Sequence, residues 1–434
     1  MTAQPDFKIK QQNFSGAPNC FTAKPQRVSA VEVALASDIE REILQAAVDD
    51  VLSRAPYFAD ALVEREGDFF YAENPLPMEV GEGNLRAVGG PDTNWHCIDV
   101  TYEGNVLSFA MFHAFCDGMG LNRFVEATLN RYFCRKDGKD YPDEGLLVPG
   151  QPVLEGEELD PYGQHHELPE GFAMDFLADG FWRLPEVDAA PAGHTRSVNF
   201  RIRESDLMEI VKACNSSPVA TLHILMADAV LAVHPDVDEL FGALVPTSNR
   251  KKLDVPNTFK NCNGALRLPY RRAQMDGLGF TERCRLSRQL LREVNNDEVA
   301  RFMANEIGGA VAQADETMHS YQEKQQVLDF IKYYSNDSYM IDYVGGLNSA
   351  GFEDQILSVR YKLTHLEPNQ ATVFLLLTAT AGRFDIEMAR FCESDAYVDA
   401  FEEQLERRGI AFERGAEERY TMPENGLIPA LGLG

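Results

Sequence analysis

The sequence predicts a mixed α/β protein with helices packed outside its sheets, and three observations carry that expectation. Apolar runs with strand character alternate with segments whose apolar residues recur at three- and four-residue intervals. A strand, a Ser-Asp-apolar turn and a helix appear near Val31 and again near Val198. The chain of 434 residues is long for one core and comfortable for two lobes of roughly 200 residues each.

The first unit opens with Val31 to Ala36 as a strand. Ser37-Asp38-Ile39-Glu40 follows with the spacing of a capping box, and Ile39, Ile43, Leu44, Ala47, Val48 and Val51 would line the buried face of the helix it starts. Ile98 to Tyr102 and Val106 to Phe112 flank Glu103-Gly104-Asn105, a connection that reads as a hairpin. The run from Val106 to Phe112 is almost unbroken in its apolarity, as expected of a strand covered on both faces. Leu121, Phe124, Val125, Thr128, Leu129 and Tyr132 then give one face to a helix beginning near Gly118 or Met119.

Arg135 to His194 is rich in Gly, Pro, Asp and Glu and reads as a connection between lobes, with Phe172, Phe176, Phe181 and Trp182 docking part of it. Val198, Phe200 and Ile202 alternate with polar residues as a strand, and Ser205-Asp206-Leu207 opens a helix. Thr221 to Val233 is apolar nearly all round, an internal helix, and Phe241 to Pro246 is a short buried strand ending at Asn249-Arg250. Thr281 to Tyr334 is helical with breaks, one at Gly308-Gly309. Gln355 to Leu363, Thr372 to Thr380 and Phe384 to Met388 read as strands, the last two joined across Ala381-Gly382-Arg383.

Lys and Arg number 40 against 68 Asp and Glu, a formal charge of −28, which argues against nucleic acid or an anionic membrane as a main partner. The N-terminus has no apolar signal region and no segment reaches the ~20 apolar residues of a membrane span, so a cytoplasmic protein is expected. Eight cysteines form no C-x-x-C pair and no regular framework, so reduced, buried thiols are expected rather than zinc ligands or disulfides. The G-x-S-x-G elbow, the Walker-type loop and the G-x-G-x-x-G fingerprint do not occur, and the reaction classes that use them lose their usual support.

One stretch concentrates chemistry: Phe112-His113-Ala114-Phe115-Cys116-Asp117-Gly118, at the end of the unbroken apolar strand and the start of a helix. A lone histidine in such a place is more often a satisfied core residue. Cys116 has no third group to orient a base and reads as a packing thiol. Further metal ligands beside His113 and Asp117 are not identifiable. His165-His166 falls in the polar connector and reads as solvated, His223 reads as core, and His96, His319 and His365 carry no recognisable partner spacing.

H-x-x-x-D-G on a strand-to-helix loop, running into L-x-x-F-V-x-x-x-L-x-x-Y, resembles the signature of the CoA-dependent acyltransferase superfamily, which includes chloramphenicol acetyltransferase, alcohol acyltransferases and condensation domains. Leu244 to Arg250 is similar to that superfamily's Pro-Val-Asn-Leu-Arg segment, Asn261-Cys262-Asn263-Gly264 to its Asn-Gly turn, and Ser338 to Leu347 to its late Ser-x-x-Gly strand, all in family order. Two features depart. Phe112 stands where many members have a second histidine, and the plant-type Asp-Phe-Gly-Trp-Gly segment is absent.

The resemblance implies an α/β fold of two chloramphenicol-acetyltransferase-like lobes, residues 1–180 and 181–434, each a mixed sheet flanked by helices, with the active site in a tunnel between them. It implies an acyl group moving from a CoA thioester to a hydroxyl or amine acceptor, with His113 as general base. Asp117 would hold the loop by pairing with Arg250, and Gly118 would permit a tight turn at the helix entry. Ser248, Asn249 or Asn263 would face the developing oxyanion. Arg271 and Arg272, with Arg267, Tyr270, Lys251 and Lys252, are candidates for a local basic patch toward anionic CoA. Acyl-CoA or a carrier-bound pantetheine thioester would be the donor substrate, with no permanently bound cofactor and no metal. A monomer or weak oligomer is expected, and the alternatives are carrier-protein-dependent condensation and a non-catalytic binding module on the same scaffold.

Overall fold

A computed structural model of the chain describes residues 6–20, 28–65, 67–172, 174, 180–185, 195–318, 320, 323–324, 337–363, 373–390 and 392–420. Phe176, His319, His365 and the span 325–334 lie outside the described residues. Among the described residues three sheets form the frame. The smallest has the order β1-β4-β3, from β1 (Lys8–Gln12), β3 (Ala61–Arg65) and β4 (Asp68–Glu73).

The five-stranded sheet runs in the order β12-β2-β7-β6-β5, from β2 (Val28–Leu35), β5 (Gly81–Glu82), β6 (Ile98–Glu103), β7 (Val106–Phe112) and β12 (Ile356–Leu363). β7 lies between β2 and β6, antiparallel to both. Its side chains are covered on both faces, and Leu107, Phe109, Ala110, Met111 and Phe112 are all buried. Glu103 pairs with Val106 across a two-residue turn in which Gly104 takes φ 56°. After a single-turn helix α1 (Ala17–Cys20), the long helices α2 (Arg41–Arg54) and α3 (Gly118–Asp137) share one buried core with this sheet. β12 comes from late in the chain, yet it pairs antiparallel with β2 from Ile356↔Leu35 to Leu363↔Ser29.

The eight-stranded sheet runs β10-β9-β11-β13-β14-β8-β15, with β16 also on β8. Its strands are β8 (Thr195–Arg203), β9 (Phe241–Ser248), β10 (Asn263–Tyr270), β11 (Tyr339–Gly345), β13 (Val373–Thr380), β14 (Arg383–Arg390), β15 (Phe412–Arg414) and β16 (Glu418–Tyr420). β11 is parallel to both of its neighbours, β9 and β13. Helices α4 (Glu204–Ala213), α5 (Pro218–Val233), α6 (Arg272–Met275), α7 (Phe280–Val294), α8 (Asp297–Thr317) and α9 (Ala396–Arg407) contribute residues to a second core with it. The result is the expected mixed α/β arrangement with helices outside the sheets.

Several local expectations change. α2 begins at Arg41 with Glu40 as N-cap and no side-chain cap, while Ser37 Oγ meets Lys136 Nζ at 2.6 Å, so the capping box does not form. α8 continues through Gly308-Gly309 instead of breaking. Gly308 is there for close approach, because a Cβ would fall 2.0 Å from the carbonyl oxygen of Tyr162. That contact docks the connector, as do hydrogen bonds of the His166 backbone to Asn305 at 2.8 and 2.7 Å. His166 is therefore half-buried and bonded, unlike exposed His165. Phe181 and Trp182 do dock, Phe181 under the Arg267 guanidinium and Trp182 edge-on to His234. Among the described residues no single helix is long and apolar enough to cross a membrane. α4 and α5 reach that length and apolarity only together, across an 88° bend.

Candidate active site

β7 ends at Phe112, and a tight turn closed by Phe115 N–H to the Phe112 carbonyl at 2.8 Å delivers His113 to the loop before α3. Neighbouring elements hold that loop by its backbone. Asn13 donates to the Ala114 carbonyl at 2.9 Å and the Tyr71 hydroxyl to the Phe115 carbonyl at 2.8 Å. His113 is half-buried, whereas Ala114, Phe115, Cys116 and Asp117 are buried. Of the residues from His113 to Asp117, His113 alone is not fully buried.

Asp117 is the N-cap of α3, its Oδ1 accepting from the Gly120 N–H at 2.8 Å. The same carboxylate receives Arg250 through Nη2 at 2.7 Å and Nη1 at 2.8 Å, and the Cys262 N–H at 2.8 Å. Arg250 spends its remaining donors on the carbonyls of Thr258 and Lys260, at 2.9 and 2.8 Å, and on Ser248 Oγ at 3.2 Å. Burial works to lower the Arg250 pKa, and Asp117 outweighs it, so the guanidinium is raised above its ordinary value. A buried pair whose donors and acceptors are matched in this way escapes the usual cost of burying charge.

The need for glycine falls two residues later than expected. Gly118 has no positive φ, and a Cβ there would sit 3.5 Å from Val344 Cγ1, an ordinary contact. At Gly120 a Cβ would lie 1.9 Å from the Phe259 carbonyl oxygen, so the first turn of α3 rests directly on the loop that leads into β10.

Of the remaining candidates, Ser248 and Asn263 pair across β9 and β10, beside the Arg250 end of the site. Asn249 is 1% exposed, with its N–H bonded to the Cys262 carbonyl and its side chain pressed on Gly264. Arg271 and Arg272 are not brought to this place. They follow the other end of β10, roughly 25 Å from Asn263 at the rise of a strand. Arg272 is bonded there to Asp276 and to the carbonyls of Pro235 and Val237. Arg267 is engaged with Asp337 and Phe181, and Tyr270 is buried beneath Arg283. Cys116 is sealed, its sulfur 3.2 Å from that of Met111, and burial first, then Asp117, pushes its thiol well above the ordinary range.

Two residues at the site escaped the sequence reading. Asn261 places Nδ2 3.4 Å from His113 Nδ1 and 3.2 Å from the His113 carbonyl, so it braces both ring and backbone. The Asn261 to Gly264 turn signalled its position but not its role. Asp342, on β11, carries a carboxyl that burial and then Asp117 push up to about 7. Nothing in the sequence around it marks a polar role.

No protein-family model and no curated protein sequence matches the chain. Solved structures do. Polyketide synthase associated protein 5 from Mycobacterium tuberculosis superposes with a TM-score of 0.64 at 14% identity, covering 92% of this chain and 98% of that one. TRI101 of F. graminearum, complexed with coenzyme A and deoxynivalenol, gives 0.58 at 12% identity over 94% and 100%. The epimerization domain from the third module of tyrocidine synthetase B gives 0.55 at 10% identity over 93% and 98%. Almost the whole length of each chain is matched, so the likeness is one of complete architecture. This chain carries the two-lobed fold of the CoA-dependent acyltransferases and condensation domains.

Proposed function

We propose that the chain transfers an acyl group from a CoA thioester to a hydroxyl, or to an amine, by direct attack of the acceptor, with His113 as general base. The observation that carries this reading is the contrast within one loop. Asp117 and its neighbours are sealed and bonded, while His113 at the start of the same loop is only half-buried. A neutral imidazole with its proton on Nδ1 offers the Nε2 lone pair to the acceptor. Asn261 donates to the His113 carbonyl at 3.2 Å and so fixes the backbone that carries the ring. The imidazolium then returns its proton to the departing thiolate, so no covalent acyl-enzyme is needed. Ser248 accepts from Arg250, which leaves its own hydroxyl hydrogen free to turn toward an oxyanion.

A carrier-bound pantetheine thioester is the second reading for the donor. It is favoured by likeness to polyketide-synthase and peptide-synthetase proteins and by the distance of Arg271 and Arg272 from His113. A thiol-release screen of acyl-CoA lengths against mixed alcohols and amines tests the first reading. Release that needs an acceptor and disappears in His113→Ala supports it; release from an acylated carrier alone would favour the second.

A further inference from the structure

β11 divides its side chains between two surroundings. Tyr339 and Ile341 are buried in the core of the eight-stranded sheet, and Tyr343 sets its ring edge-on to Phe384 of that core, centroids 6.2 Å apart. Met340 and Val344 pack instead against the core of the five-stranded sheet. Asp342 lies between these two in the strand and points with them. Its cross-strand neighbour Leu376 belongs to that same core. Val344 fixes the position, because it reaches the first residue of α3 at Gly118. Asp342 therefore stands between the two sheets, beside the loop that carries His113.

Asp342 is half-buried as a residue, and no hydrogen bond or ion pair reaches its carboxylate from the described residues. Burial pushes its carboxyl up to about 7, as for a group covered by protein on the face it shares with Met340 and Val344. The charged groups around it are mostly of its own sign. Asp117 is already matched by Arg250. Glu126 on α3 accepts from the Asn348 N–H, with Arg123 acting on it from the same helix. Tyr361 of β12 feels Asp342, Glu126 and Asp117 together.

We propose that Asp342 selects the acceptor. The acceptor is a small molecule carrying a protonated amine apart from the group that is acylated, and the Asp342 carboxylate holds that ammonium. A desolvated carboxylate with no partner is costly, and a bound ammonium supplies the missing charge-assisted hydrogen bond. The formal charge of −28 draws cations toward the molecule and repels the anionic end of CoA, so the cation belongs to the acceptor and not to the donor. This inference rests on the acyl-transfer reading for the chemistry at His113, but binding itself requires no turnover.

The test is a calorimetric titration of wild type and Asp342→Asn, which keeps the side chain's shape, with matched pairs such as aminopentanol and hexanol, where an ammonium replaces a methyl group. Wild type should bind each amino alcohol at least about tenfold more tightly than its alkanol, roughly what one charge-assisted hydrogen bond provides. Asp342→Asn should bind both members alike while keeping the wild-type melting temperature. Equal binding by wild type, no binding of either member, or a preference that survives in the variant overturns the proposal. Thiol release measured on the same pairs separates the two readings. Ammonium preference without thiol release would leave the Asp342 site standing and remove acyl transfer; thiol release without the preference would do the reverse.

Discussion

Asp117 and Arg250 are 133 residues apart in sequence and meet through two hydrogen bonds of 2.7 and 2.8 Å, both side chains out of solvent. The pair ties the start of α3 to the loop between β9 and β10, and so fixes His113 relative to Asn261. Removing one partner strands a buried charge. Asp117→Asn or Arg250→Met should lower unfolding free energy by about 3–5 kcal/mol, measured by denaturant titration, whereas a double replacement should cost less than the sum of the singles.

His113→Ala should behave differently. The residue is half-buried and braced at its edge by Asn261, so unfolding free energy should hold nearly constant while thiol release falls about 10²- to 10⁴-fold. A variant that fails to fold would assign the imidazole to packing.

Cys116→Ala should retain activity, and wild type should show no acyl-enzyme adduct in mass spectra during turnover, because the thiol is sealed and held protonated. Loss of turnover without loss of stability would bring back the covalent route.

Gly120→Ala should destabilise the chain by about 1–3 kcal/mol, since the new methyl group meets the Phe259 carbonyl oxygen and not a movable side chain. Gly118→Ala, facing only Val344 and Tyr361 at 3.5 and 3.8 Å, should be nearly neutral. The contrast is read by thermal melts of the two variants side by side.

Lys260 is fully buried, with Nζ 3.9 Å from the centre of the Tyr71 ring, and burial lowers its pKa to about 8. The folded chain sheds this proton before the unfolded one does. Between about pH 8 and the ordinary lysine value near 10.4 the unfolded state holds more protons, so this residue makes stability rise with pH across that window. Below pH 8 its penalty is present in full. Lys260→Met should therefore stabilise the chain at pH 7 and flatten the slope above pH 8, as followed by denaturant midpoints.

The sequence made the fold legible wherever burial imposes a period. The unbroken run of β7 gave a doubly covered strand, and the all-round apolarity of Thr221 to Val233 gave α5. The pairing of Asp117 with Arg250 was legible only through family likeness, because no local pattern links positions so far apart. Ser37 failed as a cap because its hydroxyl found Lys136, a partner from α3 that local spacing does not reveal. Gly308 looked like a helix breaker because the approach of Tyr162 to it is a tertiary fact. Asp342 stayed hidden for the same reason, being set among apolar neighbours whose two faces separate only once the sheets are assembled.

β12 also bears on how the chain is made. Until the ribosome has released it, the outer edge of β2 presents open backbone donors and acceptors flanked by valines, a template for mispairing with another nascent chain. Synthesis of the early half alone would leave that seam unsewn.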